Sequence, residues 1–373
     1  MKIKKIAALL LAGILCASAF TGCALNKNET VATLGDEKIT LGIANFMCRY
    51  QQARLEDAYK SYFGDEVWTQ DLYGNGTTLE ESTKSNMMET LQELYTLQLH
   101  MDDYNVSISD EEKQSITDAA EAFMENNSKD ALDEMGATQE IVEEMLTLYT
   151  IKNKMYDAII ADVDTNVTDE EANMRAYSML KIATNGTYDS NYQYTEYTDE
   201  QKEQLNQQAQ EIAAAISEPS DLEAVAEQYG FSVTTGTYDS DDDQLDSDVK
   251  TALDGLQEGE ISGLITTDKA LYIVRLDSNH DEEATNSNKE TILQDRKDTL
   301  YKDTLADWED KDTWKVKDKV LEKIDFKNSL TQQSDSTENT EETEPAETEQ
   351  QSEAGTEAAE SGTETVDGTE SAE

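Results

Sequence analysis

Two short stretches decide the fold of the C-terminal half: LQEGEIS at residues 256–262 and ALYIVRL at residues 270–276. The second stretch is rich in large apolar, β-branched and aromatic residues and predicts a strand, and the glycine-containing first stretch leads into it. Upstream, YSMLKI at residues 177–182 alternates in polarity and predicts another strand. The intervening pattern predicts helices over 199–216, 219–229 and 249–253 and a strand at 231–235. This order of elements predicts one small α/β unit.

Helical patterns dominate the rest of the chain. Residues 31–34 and 37–40 predict two short strands around a turn, and a long helical stretch follows them. Helical spacing recurs over three later ranges, which are 78–104, 139–160 and 289–308. The ordered chain is expected to end near Ile324.

Capping boxes predict three helix starts. Each places a Ser or Thr three residues before a Glu or Gln. The side chain of each residue can then accept a hydrogen bond from the backbone N–H of the other. These motifs predict helices that begin near Asp110, Asp169 and Asp199. Residues 185–198, which precede the last of these helices, are polar and rich in tyrosine and predict a loop.

The fold class predicted from this pattern is α+β. A mostly helical domain at residues 31–174 is followed by the small α/β domain at 175–280, and a helical segment at 281–328 returns to the first domain. The remaining boundaries are a signal peptide at 1–22, a tether at 23–30 and a tail at 329–373. The tail has no Lys or Arg and almost no large apolar residue, so we expect it to stay disordered.

The N-terminus predicts export and attachment to a membrane. Three lysines within the first five residues precede an apolar run at 6–20, which is shorter than the roughly 20 residues that a membrane-spanning helix needs. The run ends in FTGC at 20–23, which resembles the lipobox of bacterial lipoproteins. That resemblance implies cleavage before Cys23, lipid attachment to Cys23 and a location at the extracytoplasmic face of the cell membrane. An ordinary signal peptide with an incidental cysteine is the alternative.

Charge and cysteine content narrow the functional classes. The formal net charge of −52 argues against binding to nucleic acid or to anionic lipid headgroups. Cys16 lies in the signal peptide and Cys23 would carry the lipid, so Cys48 is the one cysteine left in the mature chain. No intrachain disulfide is therefore expected, and Cys48 is predicted to be a small core residue.

No cofactor or metal site is predicted. The chain has only two histidines, His100 and His280, which argues against a zinc site or a Ser-His-Asp triad, and no phosphate-binding glycine-rich motif is present. The acidic run at 239–243 has the alternate spacing of a calcium-binding loop. Gln244 and Lys250, however, stand where that loop needs glycine and a bidentate glutamate.

The order of elements resembles a parvulin-type peptidyl-prolyl isomerase domain flanked by helices, as in the PrsA-like and SurA-like extracytoplasmic foldases. The resemblance covers roughly residues 31–326. It is carried by VATLGDEKIT at 31–40, VTDEE at 167–171, LEAVAEQY at 222–229 and the closing stretches at 256–262 and 270–276. It implies that the helical domain is a chaperone domain whose partners are unfolded or partly folded secreted proteins.

The departures from the parvulin pattern bear on catalysis. Active parvulins carry one histidine in the first strand and another in the last, and the resemblance places Ser178 or Met179 at the first position and Tyr272 at the second. Prolyl isomerisation needs an apolar pocket and donors that favour the twisted amide, whose uncatalysed barrier is about 18–20 kcal/mol. Tyr272 supplies a hydroxyl, and Met179, Leu253 and Leu264 are candidates for the pocket lining. We therefore predict weak or absent catalysis.

Three functions remain open from the sequence. The leading prediction is a membrane-anchored chaperone for secreted proteins, in which Phe63 and Trp68 of the aromatic segment at 59–76 are candidates for client contacts. Packing in the core or within the loop is the alternative for the aromatic residues of this segment. The second is an active prolyl isomerase that tolerates the loss of both histidines. The third is a lipoprotein that binds a solute or one partner, although that class predicts a repeated two-lobed α/β pattern and only one α/β unit is recognisable.

Overall fold

A computed structural model of the chain describes residues 25–330 and shows the predicted α+β fold class. The predictions for the signal peptide, for lipid attachment at Cys23 and for residues 331–373 of the tail lie outside the described residues. Within residues 25–330, the helices are too short or too polar to span a bilayer.

Ten α-helices and nine strands are assigned within the described residues. The helices are α1 Leu41–Phe63, α2 Leu79–Leu99, α3 Asp110–Asn126, α4 Lys129–Met135, α5 Gln139–Ile159, α6 Asp199–Ala215, α7 Leu222–Gln228, α8 Ser247–Gly255, α9 Glu282–Glu309 and α10 Asp318–Leu321. The strands are β1 Thr30–Leu34, β2 Glu37–Thr40, β3 Arg175–Ala183, β4 Gly186–Tyr188, β5 Tyr194–Glu196, β6 Val233–Tyr238, β7 Ile265–Thr266, β8 Ala270–Ser278 and β9 Trp314–Val316.

The helical body is built from α1 to α5. The side-chain oxygens of Thr40, Thr78 and Ser109 each accept a hydrogen bond from a backbone N–H in the first turn of α1, α2 and α3. The rings of Phe46 and Phe123 meet edge to face at 5.7 Å and join α1 to α3. Cys48 is buried in this core, and burial raises the pKa of its thiol to about 12, as expected of an unreactive core residue.

One predicted helix is wrong. Thr168 does accept a hydrogen bond from the Glu171 N–H at 3.2 Å, as a cap would, but residues 169–172 form a single turn. The backbone is extended from Arg175, where β3 begins. The cap is therefore followed by one turn and then by the strand, without the further turns that would offset the cost of nucleating a longer helix.

The predicted loop at 185–198 also differs, since β4 and β5 pair within it as an antiparallel hairpin. Tyr188 and Tyr194 lie opposite each other in this hairpin, with ring centroids 5.1 Å apart. This cross-strand aromatic pair stabilises strand pairing in an otherwise polar segment.

The α/β unit contains a four-stranded antiparallel sheet in the order β6-β3-β8-β7. Successive side chains of each strand point to opposite faces, so each face receives alternate residues. Leu180 and Ile273 pack with helices α6 and α7 on one face. Val274 packs with Val249 and Leu253 of α8 on the other.

The α/β unit is joined to the helical body at one place. The Asp281 N–H donates to the Met174 carbonyl oxygen at 2.8 Å, and the Met174 N–H donates to Thr285 Oγ1 at 3.1 Å. Asn173 Nδ2 donates to the Asn279 carbonyl oxygen at 3.1 Å. The chain therefore enters and leaves the unit side by side.

Helix α9 returns the chain to the helical body and is longer than predicted, because Asp281 caps its start. Leu300 and Leu305 of α9 pack against a cluster that includes Leu97 of α2 and Ile151 of α5. Strand β9 then pairs with β1 and completes the sheet β2-β1-β9. The final described residues, 324–330, run across the helical body, and their side chains at Ile324, Phe326 and Leu330 are buried.

Candidate functional site

The sheet face beneath α8, here called the α8 face, is the candidate site of the α/β unit. Alternate residues of β3, β6 and β8 build it, and α8 covers part of it. The strand residues of this face are Tyr177, Met179, Tyr238, Tyr272 and Val274, and Val249, Leu253 and Leu256 pack against them. The face is therefore apolar, and tyrosine hydroxyls are its main hydrogen-bonding groups.

Tyr272 lies at the centre of this face and is 7% exposed. Its hydroxyl makes no hydrogen bond to any described residue, whereas the hydroxyl of the neighbouring Tyr238 donates to Asp254 Oδ1 at 3.2 Å. Burial, with a smaller contribution from the negative charge of Asp246, raises the pKa of Tyr272 above its ordinary value. Lys181 Nζ lies 5.9 Å from the centroid of the Tyr272 ring. Tyr272 is thus a neutral hydroxyl donor beside an ammonium group.

Tyr177 adds a second hydroxyl, which the sequence reasoning missed. Its ring lies over Gly236 of β6, where an added Cβ would approach Tyr177 Oη to 2.6 Å. Burial, followed by the nearby charge of Asp242, raises the pKa of Tyr177. The signal was present in the sequence, because Tyr177 and Met179 are two residues apart in a strand and so share a face.

The acidic loop at 239–246 borders the α8 face, and Leu245 packs against it. Carboxylate oxygens of this loop accept hydrogen bonds from backbone N–H groups of the same loop. Asp239 Oδ1 accepts from the Asp241 N–H at 2.8 Å, and Asp242 Oδ1 accepts from the Leu245 N–H at 2.9 Å. Within residues 25–330 there is no group of three or more side chains placed to hold a metal ion.

Two of the predicted site residues lie on the other face of the sheet. Ser178 Oγ donates to Asp277 Oδ2 at 2.6 Å and accepts from Arg275 Nη2 at 3.0 Å, and it is almost fully buried. Leu264 packs with the cluster under α6 and α7. The structure therefore brings Met179, Tyr272 and Leu253 together and separates Ser178 and Leu264 from them.

Neither histidine of the chain belongs to the α8 face. His100 lies in the helical body, where its ring stacks on Trp308 at 4.2 Å and its Nδ1 is 2.7 Å from Asp103 Oδ2. His280 follows β8, and its Nδ1 is 2.7 Å from Asn173 Oδ1. Since the sequence has only these two histidines, the α8 face has no imidazole.

The aromatic segment at 59–76 divides into buried and exposed members. Trp68 is buried, with its ring centroid 5.0 Å from that of Phe326. Phe63 is half exposed at the end of α1, beside Tyr62, whose exposed fraction is 82%. Of the two residues predicted to contact clients, Phe63 is accessible and Trp68 belongs to the core.

Residues 183–288 match the family model described as the PPIC-type PPIase domain. The match confirms the parvulin-type resemblance for this part of the chain, which therefore carries a PPIC-type domain joined to a helical body. Tyr272 and Leu253 lie inside the matched range, whereas Met179 lies in β3 just before it.

Several solved structures are similar to the chain. The foldase PrsA from Lactococcus lactis is 12% identical, with 79% of this chain and 99% of that chain covered and a TM-score of 0.32. The peptidylprolyl isomerase PrsA from Bacillus cereus is 17% identical, with 69% and 97% covered and a TM-score of 0.29. A chain from the SurA-like chaperones PEB4 and Cj1289 of Campylobacter jejuni is 10% identical, with 78% and 100% covered and a TM-score of 0.26. At these TM-scores the likeness alone supports no conclusion about function. No curated protein matches the chain.

Proposed function

We propose that the protein is an extracytoplasmic folding factor that holds unfolded or partly folded secreted proteins and has weak or no prolyl isomerase activity. A lipid on Cys23 would anchor it at the outer face of the cell membrane. The observation that carries the proposal is a PPIC-type domain whose α8 face has tyrosine hydroxyls but no imidazole.

The chemistry of the α8 face supports weak catalysis. Lowering a barrier of about 18–20 kcal/mol requires donors placed where charge or amide distortion develops. The thioether of Met179 donates no hydrogen bond, and the Tyr272 hydroxyl holds its proton more tightly than an ordinary phenol. Leu253 is fully buried and Leu245 packs against the same face, which leaves little room for a prolyl ring.

Exposed aromatic side chains support client binding. Tyr62, Phe63 and Tyr73 are exposed at the end of α1 and in the loop that follows it. Tyr188 and Tyr192 are exposed on the β4–β5 hairpin. Exposed apolar patches rimmed by polar residues mark surfaces that contact other proteins, and an unfolded chain offers the apolar segments that such a surface can contact.

Two assays on the lipid-free mature chain test the proposal. We expect stoichiometric suppression of the aggregation of a reduced client, and turnover of a prolyl peptide close to the uncatalysed rate. The double substitution Tyr62→Ser/Phe63→Ser is expected to weaken suppression at an unchanged melting temperature. Ser61→Ala, at an exposed neighbouring position, is the matched control.

An active isomerase is the second candidate, and the match to the PPIC-type family favours it. Turnover well above the uncatalysed rate that is lost in Tyr272→Phe or Met179→Ala would establish this candidate. It would show that tyrosine and lysine donors replace the missing imidazoles.

A further inference from the structure

The last described residues, 324–330, lie in a groove of the helical body. We call these residues the strap. The groove is formed by one side of α1, the start of α2 and the ring of Trp68. Phe326 and Leu330 of the strap are buried in it.

Polar side chains of α1 bind the backbone of the strap. Arg49 donates to the carbonyl oxygens of Asp325 and Asn328, both at 2.8 Å. Gln52 Nε2 donates to the Phe326 carbonyl at 3.2 Å and to the Asn328 carbonyl at 3.3 Å. Glu56 Oε2 accepts from the Leu330 N–H at 2.8 Å. Backbone groups are common to all residues, so these contacts do not depend on the sequence that is bound.

Helix α2 extends the same mode of recognition. Glu80 Oε2 accepts from the Phe326 N–H at 3.3 Å, and Lys84 Nζ donates to the Ile324 carbonyl at 3.1 Å. Five groove side chains on two helices thus contact the strap through its main chain. This resembles the use of main-chain hydrogen bonds in other sites that bind extended peptides.

Three strap side chains, those of Ile324, Phe326 and Leu330, are buried against the helical body, and Phe326 is the aromatic one. The Phe326 ring meets Trp68 edge to face at 5.0 Å, and the Arg49 guanidinium lies 5.8 Å from its centroid. The next side chain, Lys327, is 80% exposed and pairs with Asp325 of the strap itself. The groove therefore accepts apolar residues at the positions of Ile324, Phe326 and Leu330, with an aromatic ring at the middle one, and leaves the position of Lys327 open to other residues.

The composition of the groove is that of a binding site rather than of a permanent core. The side chains of Arg49 and Glu56 are 2% and 1% exposed. Buried charges stabilise a fold no better than well-packed apolar residues of similar volume, because desolvation offsets their attraction. In addition, Trp68 Nε1 is buried without an acceptor among the described residues, so the strap leaves one donor of the groove unsatisfied.

We propose that this groove binds an extended polypeptide with an aromatic or large apolar residue at the position of Phe326, and that the strap is its resident, displaceable occupant. The proposal rests on the proposed chaperone function and deepens it, because it names a client site and the chemistry that the site accepts. A client segment that offers a carbonyl oxygen to Trp68 Nε1 gains a hydrogen bond that the strap does not make.

The test measures binding of a labelled heptapeptide with the strap sequence IDFKNSL to the full mature chain by fluorescence anisotropy. Phe326→Ala removes the ring of the strap and leaves every groove side chain in place, so the groove becomes available and the peptide should bind about tenfold more tightly or better than to wild type. Lys327→Ala, which alters an exposed strap side chain, should leave the affinity unchanged.

Two modified peptides test recognition of the backbone. N-methylation at the position of Leu330 removes the bond to Glu56 and should weaken binding to Phe326→Ala by about tenfold or more. N-methylation at the position of Lys327 should have little effect, because that N–H bonds only to Asp325 of the strap. Equal effects of the two modifications would overturn the proposal.

Hydrogen exchange on the wild type covers the case in which Phe326→Ala does not fold. Excess unlabelled peptide should remove protection from the amides of Phe326 and Leu330, and protection that persists overturns the proposal. Aggregation suppression separates this inference from the proposed function. Suppression without peptide exchange refutes the groove alone, and peptide exchange without suppression refutes the chaperone function alone.

Discussion

Replacing Tyr272 by phenylalanine removes one hydroxyl from the α8 face and leaves the buried ring in place. Because that hydroxyl makes no hydrogen bond to a described residue, its removal should change the free energy of unfolding by no more than about 0.5 kcal/mol. Tyr238→Phe is the matched control, since the Tyr238 hydroxyl donates to Asp254 in the same cluster. Its loss leaves Asp254 with one donor fewer and should cost about 1–1.5 kcal/mol.

Urea unfolding of the lipid-free mature chain, followed by circular dichroism, measures both variants against wild type. The comparison is direct because both tyrosines are buried and both substitutions keep the ring. If Tyr272→Phe destabilises the protein as much as Tyr238→Phe does, the Tyr272 hydroxyl is bonded in the folded chain. That result would refute the view that it is free to contact a bound polypeptide.

Three further predictions follow from other parts of the molecule. Burial alone would raise the pKa of Glu112, but hydrogen bonds from Lys154 and from the Ser109 N–H hold it below its ordinary value. This carboxylate therefore contributes stability above its unfolded pKa, and the contribution is lost as the pH falls through the folded value. Glu112→Gln should thus lower the free energy of unfolding by about 1–2 kcal/mol at pH 7 and by less near pH 3, in urea titrations at the two pH values. Gly236→Ala should displace the Tyr177 ring and cost about 1–3 kcal/mol, whereas Gly255→Ala, where an added Cβ meets nothing within 4 Å, should be nearly neutral in the same assay. Cys23→Ser should move the protein from the membrane fraction to the soluble fraction and abolish incorporation of labelled fatty acid, and retention in the membrane fraction would argue against the lipid anchor.

Local signals predicted the secondary structure where nothing distant competed with them. The capping boxes at Ser109 and Thr198 mark true helix starts, since long helical stretches follow each of them. The same motif at Thr168 does not start a helix, because the backbone pairs as a strand of the sheet from Arg175 onward. A cap is a local property, whereas the length available to a helix depends on where the next element must begin.

Part of the candidate site was predictable because the face on which a strand residue lies is also a local property of the sequence. Strand alternation is enough to separate Ser178 from Met179, and it also places Tyr177 with Met179. The groove could not be predicted in this way. Arg49 and Glu56 have the charge of surface residues, and their burial depends on a strap that is more than 270 residues away along the chain.

The junction between Met174 and Asp281 has a consequence for how this architecture changes. The Asp281 N–H already donates to the Met174 carbonyl oxygen there. A linker of two or three residues, the length of a tight hairpin connection, could therefore join the two chain segments directly if the α/β unit were deleted. The α/β unit is in effect an insertion, which could be replaced or removed without changing the path of the chain through the helical body. The helical body and the α/β unit each have a hydrophobic core of their own. The residues of the α8 face can therefore change without altering the contacts within the helical body.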